Sequence, residues 1–392
     1  MRRFVFGRFI KLAERKIVPR PSLFSTTPAN TTNANTNTTM PAAATTSTVL
    51  PVDPMANQTC DVSSTASANT KTTATTTTTT KTEDDFDNTK VAVIAHRGGA
   101  DEGPENTLGA LRQALLNGAD GVEFDLQRTS DGYLVVLHDD TLERTAAPYS
   151  NDVADNTGLS RKEYRRLIQT PVNDLTLKQV QMVDIGSFFG ASWANERVAL
   201  FEDALQLLKE FPKCKIFAEL KSGDFKSADL AADTLARLKP NVEQLVIIGF
   251  SFDLMAYTKK LISPDYKVLW VMHPRIPILQ SVANYKAKIV KALEQLDGVD
   301  PCALSTSITR EYAEAVREVE EKQGRRKLFA TWVWKKFPGT DTEKNWQYLV
   351  DSGVNAITTD KPSSCAQFLN KTPPVELPPA TVDDEAVDVP LI

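Results

Sequence analysis

Histidine, cysteine and long apolar runs are all scarce in this 392-residue chain, and each scarcity excludes something. No window approaches about 18 uninterrupted apolar residues, so no membrane-spanning helix is expected. The four cysteines, Cys60, Cys214, Cys302 and Cys365, lie far apart with no CxxC spacing. That argues against a disulfide framework and against a cysteine-rich zinc site, and Cys214, beside an apolar run, reads as a plain core filler. No basic stripe with interleaved aromatics accompanies the net charge of -5, so nucleic-acid binding has no support. Glycine-rich GxGxxG spacing is absent after the first apolar run of the central region, which weakens a nucleotide-binding reading.

Large apolar side chains are also missing from particular stretches. Residues 24–89 are dominated by Thr with Ala, Asn and Ser, and cannot bury enough surface to offset ordering entropy, so they are expected to form a disordered linker. The Pro-rich, acidic residues 371–392 read as a disordered tail. Residues 90–370 are left to fold, a length that suits one large α/β domain. Ahead of the linker, residues 1–23 form a basic segment. On a helix, Phe6, Phe9, Ile10, Ala13 and Ile17 would share one face, and Arg8, Lys11 and Arg15 another. The pattern fits a mitochondrial transit peptide, with a membrane-surface amphipathic helix and a merely disordered basic terminus as alternatives. The expected location is mitochondrial, or cytoplasmic if the segment is not an address. Sequons at Asn30, Asn37 and Asn57 matter only in a secreted chain.

From residue 90 onward, short apolar runs alternate with amphipathic ones. Strands are predicted at 91–95, 122–126, 134–137, 215–220, 245–250, 267–271, 303–305, 328–333 and 356–358. Helices are predicted at 107–116, 202–208, 230–238, 254–262, 308–321 and 346–350. Strands that are apolar on both faces imply a parallel sheet covered by helices, and their number suits a closed (β/α)8 TIM barrel, with an open doubly wound sheet as the alternative. Ser130-Asp131-Gly132 reads as a hairpin turn, so one strand exceeds the eight of a barrel and the fold is expected to be somewhat irregular. Residues 146–200 read as a long loop or small lid with helices near 160–168 and 176–182.

The polar residues at strand ends carry the chemistry. His96 and Arg97 follow the first run, Glu123 and Asp125 lie two apart on the second, His138 and Asp139 close the third, and Glu219 and Lys221 end the fourth. In a barrel these positions meet at the C-terminal mouth. Charged groups there are costly unless paired or bound to metal, and three converging carboxylates call for a cation. Oxygen donors favour Mg²⁺ or Ca²⁺, and the histidines are not at HExxH zinc spacing. A cation beside two imidazoles, an Arg and a Lys suits attack at phosphorus. The alternative is a structural salt-bridge network among Arg97, Lys221 and these acids.

His96-Arg97-Gly98, Pro104-Glu105-Asn106-Thr107, Glu123-Phe124-Asp125, His138-Asp139 and Leu142 with Arg144-Thr145 together resemble the glycerophosphodiester phosphodiesterase family. Weaker likeness continues through residues 183–190, FAELK at 217–221, Trp332 and residues 353–362. The resemblance implies a TIM barrel that hydrolyses glycerol-linked phosphodiesters to glycerol 3-phosphate and an alcohol such as choline or ethanolamine. It implies a divalent metal on Glu123, Asp125 and Glu219, with Glu105 open as a further ligand, and His96 and His138 as the acid/base pair. Arg97 and Lys221 would hold the phosphate. A glycerol hydroxyl can serve as internal nucleophile in this family, through a cyclic phosphate.

Lys335, where relatives often carry Asn, and the long 146–172 stretch depart from the pattern, so substrate choice is expected to reside in 146–200 and the late strands. Trp332 is expected to line the substrate cleft, and His273 to sit in a loop outside catalysis. Two other functions stay open. One is phospholipase-like cleavage of lysophospholipids or phosphatidylglycerol, with peripheral membrane contact through the basic N-terminus. The other is a catalytically silent barrel serving as a binding module. The oligomeric state is not written in these motifs.

Overall fold

The computed structural model describes residues 90–370 apart from Ser222 and Pro338, and the expectations for 1–23, 24–89 and 371–392 lie outside the described residues. Strands and helices alternate along the chain: β1 (Ala92–Ala95), α1 (Leu108–Leu116), β2 (Gly121–Arg128), β3 (Leu134–Val136), α2 (Asn151–Thr157), α3 (Arg161–Gln169), α4 (Leu177–Gln181), α5 (Phe201–Leu208) and β4 (Lys215–Leu220). There follow α6 (Phe225–Leu238), β5 (Leu245–Gly249), α7 (Phe252–Leu261), β6 (Lys267–Met272), α8 (Val282–Gln295), β7 (Gly298–Pro301), α9 (Arg310–Gln323), β8 (Leu328–Trp332), α10 (Glu343–Asp351), β9 (Ala356–Thr359) and α11 (Pro362–Phe368).

The sheet runs β1-β9-β8-β7-β6-β5-β4-β2-β3, and β1 also pairs with β2. Eight of these strands are therefore parallel and close a TIM barrel. The ninth, β3, lies outside the ring, antiparallel to β2. The hairpin expected at Ser130-Asp131-Gly132 joins them, with Gly132 at φ 88° in the left-handed region that its missing Cβ permits. Of the described helices, none is long and apolar enough to cross a membrane.

Side chains alternate across each strand and build two concentric cores. Ile94, Phe217, Val246, Ile248, Leu269, Val271, Leu328, Ala330 and Ala356 fill the barrel. Their outward neighbours, among them Val122, Phe124, Ile216, Ala218 and Ile247, pack under the helices. Five of the helices that follow barrel strands start on hydroxyls: Thr107, Ser251, Ser281, Thr309 and Thr342 each accept a hydrogen bond from a first-turn amide. These caps sit at the C-terminal face of the strands and fix where the loops of that face depart.

Most predicted strands agree with the observed ones to within two residues, but the seventh does not. The sequence pattern predicts it at 303–305, and it lies at Gly298–Pro301. Gly, Asp and Pro read as strand breakers, yet each has a place here. A Cβ on Gly298 would run into the Leu328 carbonyl, so glycine permits the close approach of β7 to β8. Asp300 turns into the barrel. Pro301 lies beyond the β7–β8 ladder, which covers only Gly298 and Val299. The 14-residue α8 was not expected, although Tyr285, Ile289, Ala292 and Leu293 repeat at helical spacing and are buried. The two helices expected within 146–200 are α3 and α4, and α2 precedes them. This excursion has its own apolar core, with Tyr164, Leu167, Val180 and Val198 packed on Val135 and Leu142.

Candidate active site

The strand-to-helix turn after β1 has an unusual backbone. Arg97, Gly98 and Gly99 have φ of 54°, 81° and 90°, all left-handed. A Cβ on Gly98 would stand 2.9 Å from the Leu111 amide nitrogen, so position 98 is open only to glycine. It aims the Arg97 amide at Glu123, donating to Oε2 at 2.9 Å. Asn106, also left-handed at φ 60°, clasps Asp125 from both sides. Its amide donates to Oδ2 at 2.8 Å, and its carbonyl oxygen accepts from the Asp125 amide at 3.1 Å.

Glu123 and Asp125 point into the barrel from β2, and register pairs Asp125 with Glu219 on β4. One oxygen from each of the three carboxylates lies within 4.8 Å of the others, and all three residues are buried. Burial, with repulsion from Asp125 and Glu219, pushes the Glu123 carboxyl well above its ordinary range. Burial raises Glu219 too, against the pull of Lys221. Asp125 is held well below the usual range: burial works the other way, but the Lys221 ammonium and Arg97 outweigh it. The Lys221 Nζ donates to Glu219 Oε1 at 2.6 Å and also to Asp125 Oδ1. Arg97 Nε stands 3.3 Å from Asp125 Oδ2. Two cations, Arg97 and Lys221, thus face three carboxylates, one positive charge short of balance when all three are ionised. An all-oxygen trio short of positive charge fits a hard divalent cation.

Both imidazoles are oriented by acids. His96 Nδ1 lies 2.6 Å from Asp360 Oδ1, and His138 Nδ1 lies 2.6 Å from Asp139 Oδ1. With Nδ1 engaged, Nε2 of each ring is left for other work. Nε2 of His96 lies 4.0 Å from Glu123. Asp360 follows β9 and is held in turn by Asp341, whose Oδ2 accepts from the Asp360 amide at 2.9 Å. His138 does not come from the C-terminal end of a barrel strand, as expected. It follows β3, the returning hairpin arm, where the Leu137 amide donates to the Asp125 carbonyl at 3.0 Å. An outer strand thus carries its imidazole to the same mouth.

The sequence-derived residues converge on a cleft of about 450 Å³. Its lining includes His96, Arg97, Glu105, Glu123, His138, Glu219 and Trp332; Asp125 and Lys221 are not part of the lining but contact it through Arg97 and Glu219. Glu105 lies outside the carboxylate trio and is occupied by two guanidinium groups, Arg97 at 3.1 Å and Arg144 at 2.7 Å. Against burial, these hold Glu105 below its ordinary range. Trp332 forms an aromatic wall with Phe250 and Trp334, at centroid separations of 5.3 and 5.8 Å. His273 follows β6 as expected and belongs to that wall, its ring 4.9 Å from Phe250. No carboxylate orients it among the described residues. The late strands line the cleft, with Val271, His273, Asp300, Trp332 and Trp334, and residues 146–200 contribute none of its lining.

Three residues escaped the sequence reading. Asp360 was visible only as the acid after the last apolar run. Arg144 stood in a recognised motif without an assigned role, and here it joins Glu105 to Asp139, with Nε 2.7 Å from Asp139 Oδ2. Asp300 was hidden by the misplaced seventh strand. It is buried, lines the cleft, and neither carboxyl oxygen has a hydrogen-bond partner among the described residues. Burial and the nearby Glu219 push it well above the ordinary carboxyl range, favouring the neutral acid.

The Glycerophosphoryl diester phosphodiesterase family matches residues 96–364. A glycerophosphodiester phosphodiesterase of Caldanaerobacter subterraneus subsp. tengcongensis is 28% identical over 288 residues, covering 72% of this chain and 99% of that protein. Among solved structures, an Oleispira antarctica phosphodiesterase in complex with the product sn-glycerol-3-phosphate has a TM-score of 0.53 at 18% identity, covering 71% of this chain and 97% of that one. A glycerophosphodiester phosphodiesterase of Agrobacterium tumefaciens has a TM-score of 0.50 at 22% identity, covering 71% and 100%. At these identities the structural likeness speaks to the fold.

Proposed function

This chain belongs to the glycerophosphoryl diester phosphodiesterase family, and from that premise we infer how its cleft works. It is a phosphoric diester hydrolase that cleaves glycerophosphodiesters. The observation that carries the assignment of roles is the buried trio Glu123, Asp125 and Glu219 set beside two carboxylate-oriented imidazoles. A divalent cation held by the trio, Mg²⁺ or Ca²⁺ in our reading, would supply positive charge for the phosphoryl oxygens.

The protein's own groups do the rest. Arg97 and Lys221 bring fixed positive charge to the phosphate. One imidazole Nε2 takes the proton from the attacking hydroxyl, and the other returns one to the leaving alkoxide. With the substrate's own 2-hydroxyl as nucleophile, the bond from phosphorus to the alcohol breaks as a cyclic glycerol phosphate closes. Water then opens the ring to glycerol 3-phosphate. Asp360 acts through His96 as a positioning residue. Asp360→Asn is expected to lower kcat towards, but not beyond, the ~10²–10⁴ that a general acid or base contributes, with KM unchanged. A KM rise at constant kcat would reassign Asp360 to substrate binding.

Water-soluble glycerophosphodiesters are the leading substrate class, with an alcohol such as choline or ethanolamine as the second product. A lysophospholipid is the second reading, favoured by the apolar face of Phe250, Trp332 and Trp334. Turnover of glycerophosphocholine beside a lysophospholipid, with Mg²⁺ and with Ca²⁺, separates the two readings. Faster release from the lipid would overturn the first. For location, the basic pattern of residues 1–23 supports mitochondrial import, and a diffuse cytosolic signal from the full-length chain would overturn that.

A further inference from the structure

Between β6 and α8 the chain makes a tight turn on the rim of the catalytic cleft. His273 lines the cleft, and the turn, at residues 277–279, lies a few residues further on. Its base is pinned to the loop after β7. The Arg275 amide donates to Ser307 Oγ at 2.7 Å, Thr306 Oγ1 donates to the Arg275 carbonyl at 2.9 Å, and the Arg275 guanidinium is held by the Thr306 and Gln280 carbonyls. The tip is closed by Leu279 and Gln280 amides, which both donate to the Ile276 carbonyl at 2.9 Å.

A turn so well held has no structural need for apolar side chains at its tip, yet it carries them. Ile278 is 86% exposed and Leu279 75%, and Ile276 and Val282 are exposed beside them. Exposed apolar residues on a monomer are normally scattered singly. Here four fall within seven positions, and Ile276 and Leu279 line one surface concavity. Lysine borders the patch: Lys288 shares a surface concavity with Ile276 and Leu279, and the exposed Lys291 lies three residues further along α8. An apolar tip flanked by basic side chains matches the layers of a bilayer surface, acyl chains below and anionic headgroups above.

We propose that residues 274–282 dock on an anionic lipid surface and set the mouth of the cleft against the bilayer. The tip residues enter the interface, Lys288 and Lys291 meet the headgroups, and the pinned base holds the cleft in a fixed attitude to the membrane. Lipid-derived substrate would then reach the aromatic wall from the side on which the turn stands. Docking does not depend on which diester is cleaved.

The test uses the full-length chain and vesicles of phosphatidylcholine with and without phosphatidylserine. Wild-type protein is expected to float with the serine-containing vesicles, and backbone amides of residues 275–282 to exchange hydrogen more slowly when it does. Ile278→Glu combined with Leu279→Glu is expected to weaken flotation on the order of tenfold or more, since two apolar side chains that would enter the interface are replaced by acids. Lys288→Glu is expected to weaken binding to serine-containing vesicles only. Turnover of soluble glycerophosphocholine, run on the same preparations, is expected to stay unchanged in all variants, and it reports the reaction separately from docking. Failure to float, flotation without protection of 275–282, or flotation indifferent to the double substitution would each overturn the proposal. So would a concentration-dependent dimer abolished by the same substitution, which would make the occupant a second copy of the chain.

Discussion

Glu219→Gln is expected to remove divalent-cation binding and diester hydrolysis together. The three carboxylates of the trio are buried, with oxygens inside 4.8 Å of one another, and the Lys221 ammonium already lies between Asp125 and Glu219. Replacing one acid by its neutral isostere takes away a ligand oxygen's charge while Lys221 and Arg97 remain. The balance at the site then shifts from a deficit of positive charge to near neutrality, and a hard cation loses its reason to bind. Calorimetric titration with Mg²⁺ and Ca²⁺ should show no saturable binding, and turnover should fall to background. The fold should survive, because one member of a mutually repelling group has been neutralised. An unchanged or higher melting temperature in the metal-free protein is the accompanying observation. Retained metal affinity with lost turnover would move Glu219 from metal ligand to acid/base group.

The second large effect is expected at His138. His138→Ala should lower kcat by roughly the 10²–10⁴ typical of a general acid or base, while metal affinity stays near the wild-type value. The reason is geometric. His138 stands on the hairpin arm outside the barrel ring, with Nδ1 on Asp139, and it is not one of the three residues that gather their oxygens. Titration of the variant with metal, run beside single-turnover kinetics, checks both halves. A parallel loss of metal and rate would make His138 a ligand instead.

How much of this site was legible beforehand depended on where each residue fell in the chain. Glu123 and Asp125, two apart on one strand, share a face by the period of two alone. Glu219 and Lys221 repeat that spacing, so the two halves of the charge cluster could be read as pairs. Asp360 could not, because its partner His96 is 264 residues away and only barrel closure through β1 and β9 brings them together. Asp300 was obscured differently. Local propensity rules against a strand spelled Gly-Val-Asp-Pro, and tertiary packing overrides it with a glycine that admits the neighbouring strand and an acid that faces the cleft. The substrate wall was partly visible as Trp332, but Phe250 and His273 join it only because β5 and β6 end on the same rim.

The amino-acid sequence by itself determined the fold class, the family and the chemical kind of the site. Those follow from periodicity and from ordered short motifs, which are local properties of a chain. Tertiary structure alone decided which acid orients which imidazole, that Glu105 is tied to Arg97 and Arg144, that His138 arrives on an outer strand, and that an apolar turn stands beside the cleft. The His96–Asp360 pair is set by closing eight strands into a ring, and the arrival of His138 by the hairpin that returns β3 along β2. Ring closure joins residues hundreds of positions apart, and no periodicity in the sequence records that distance.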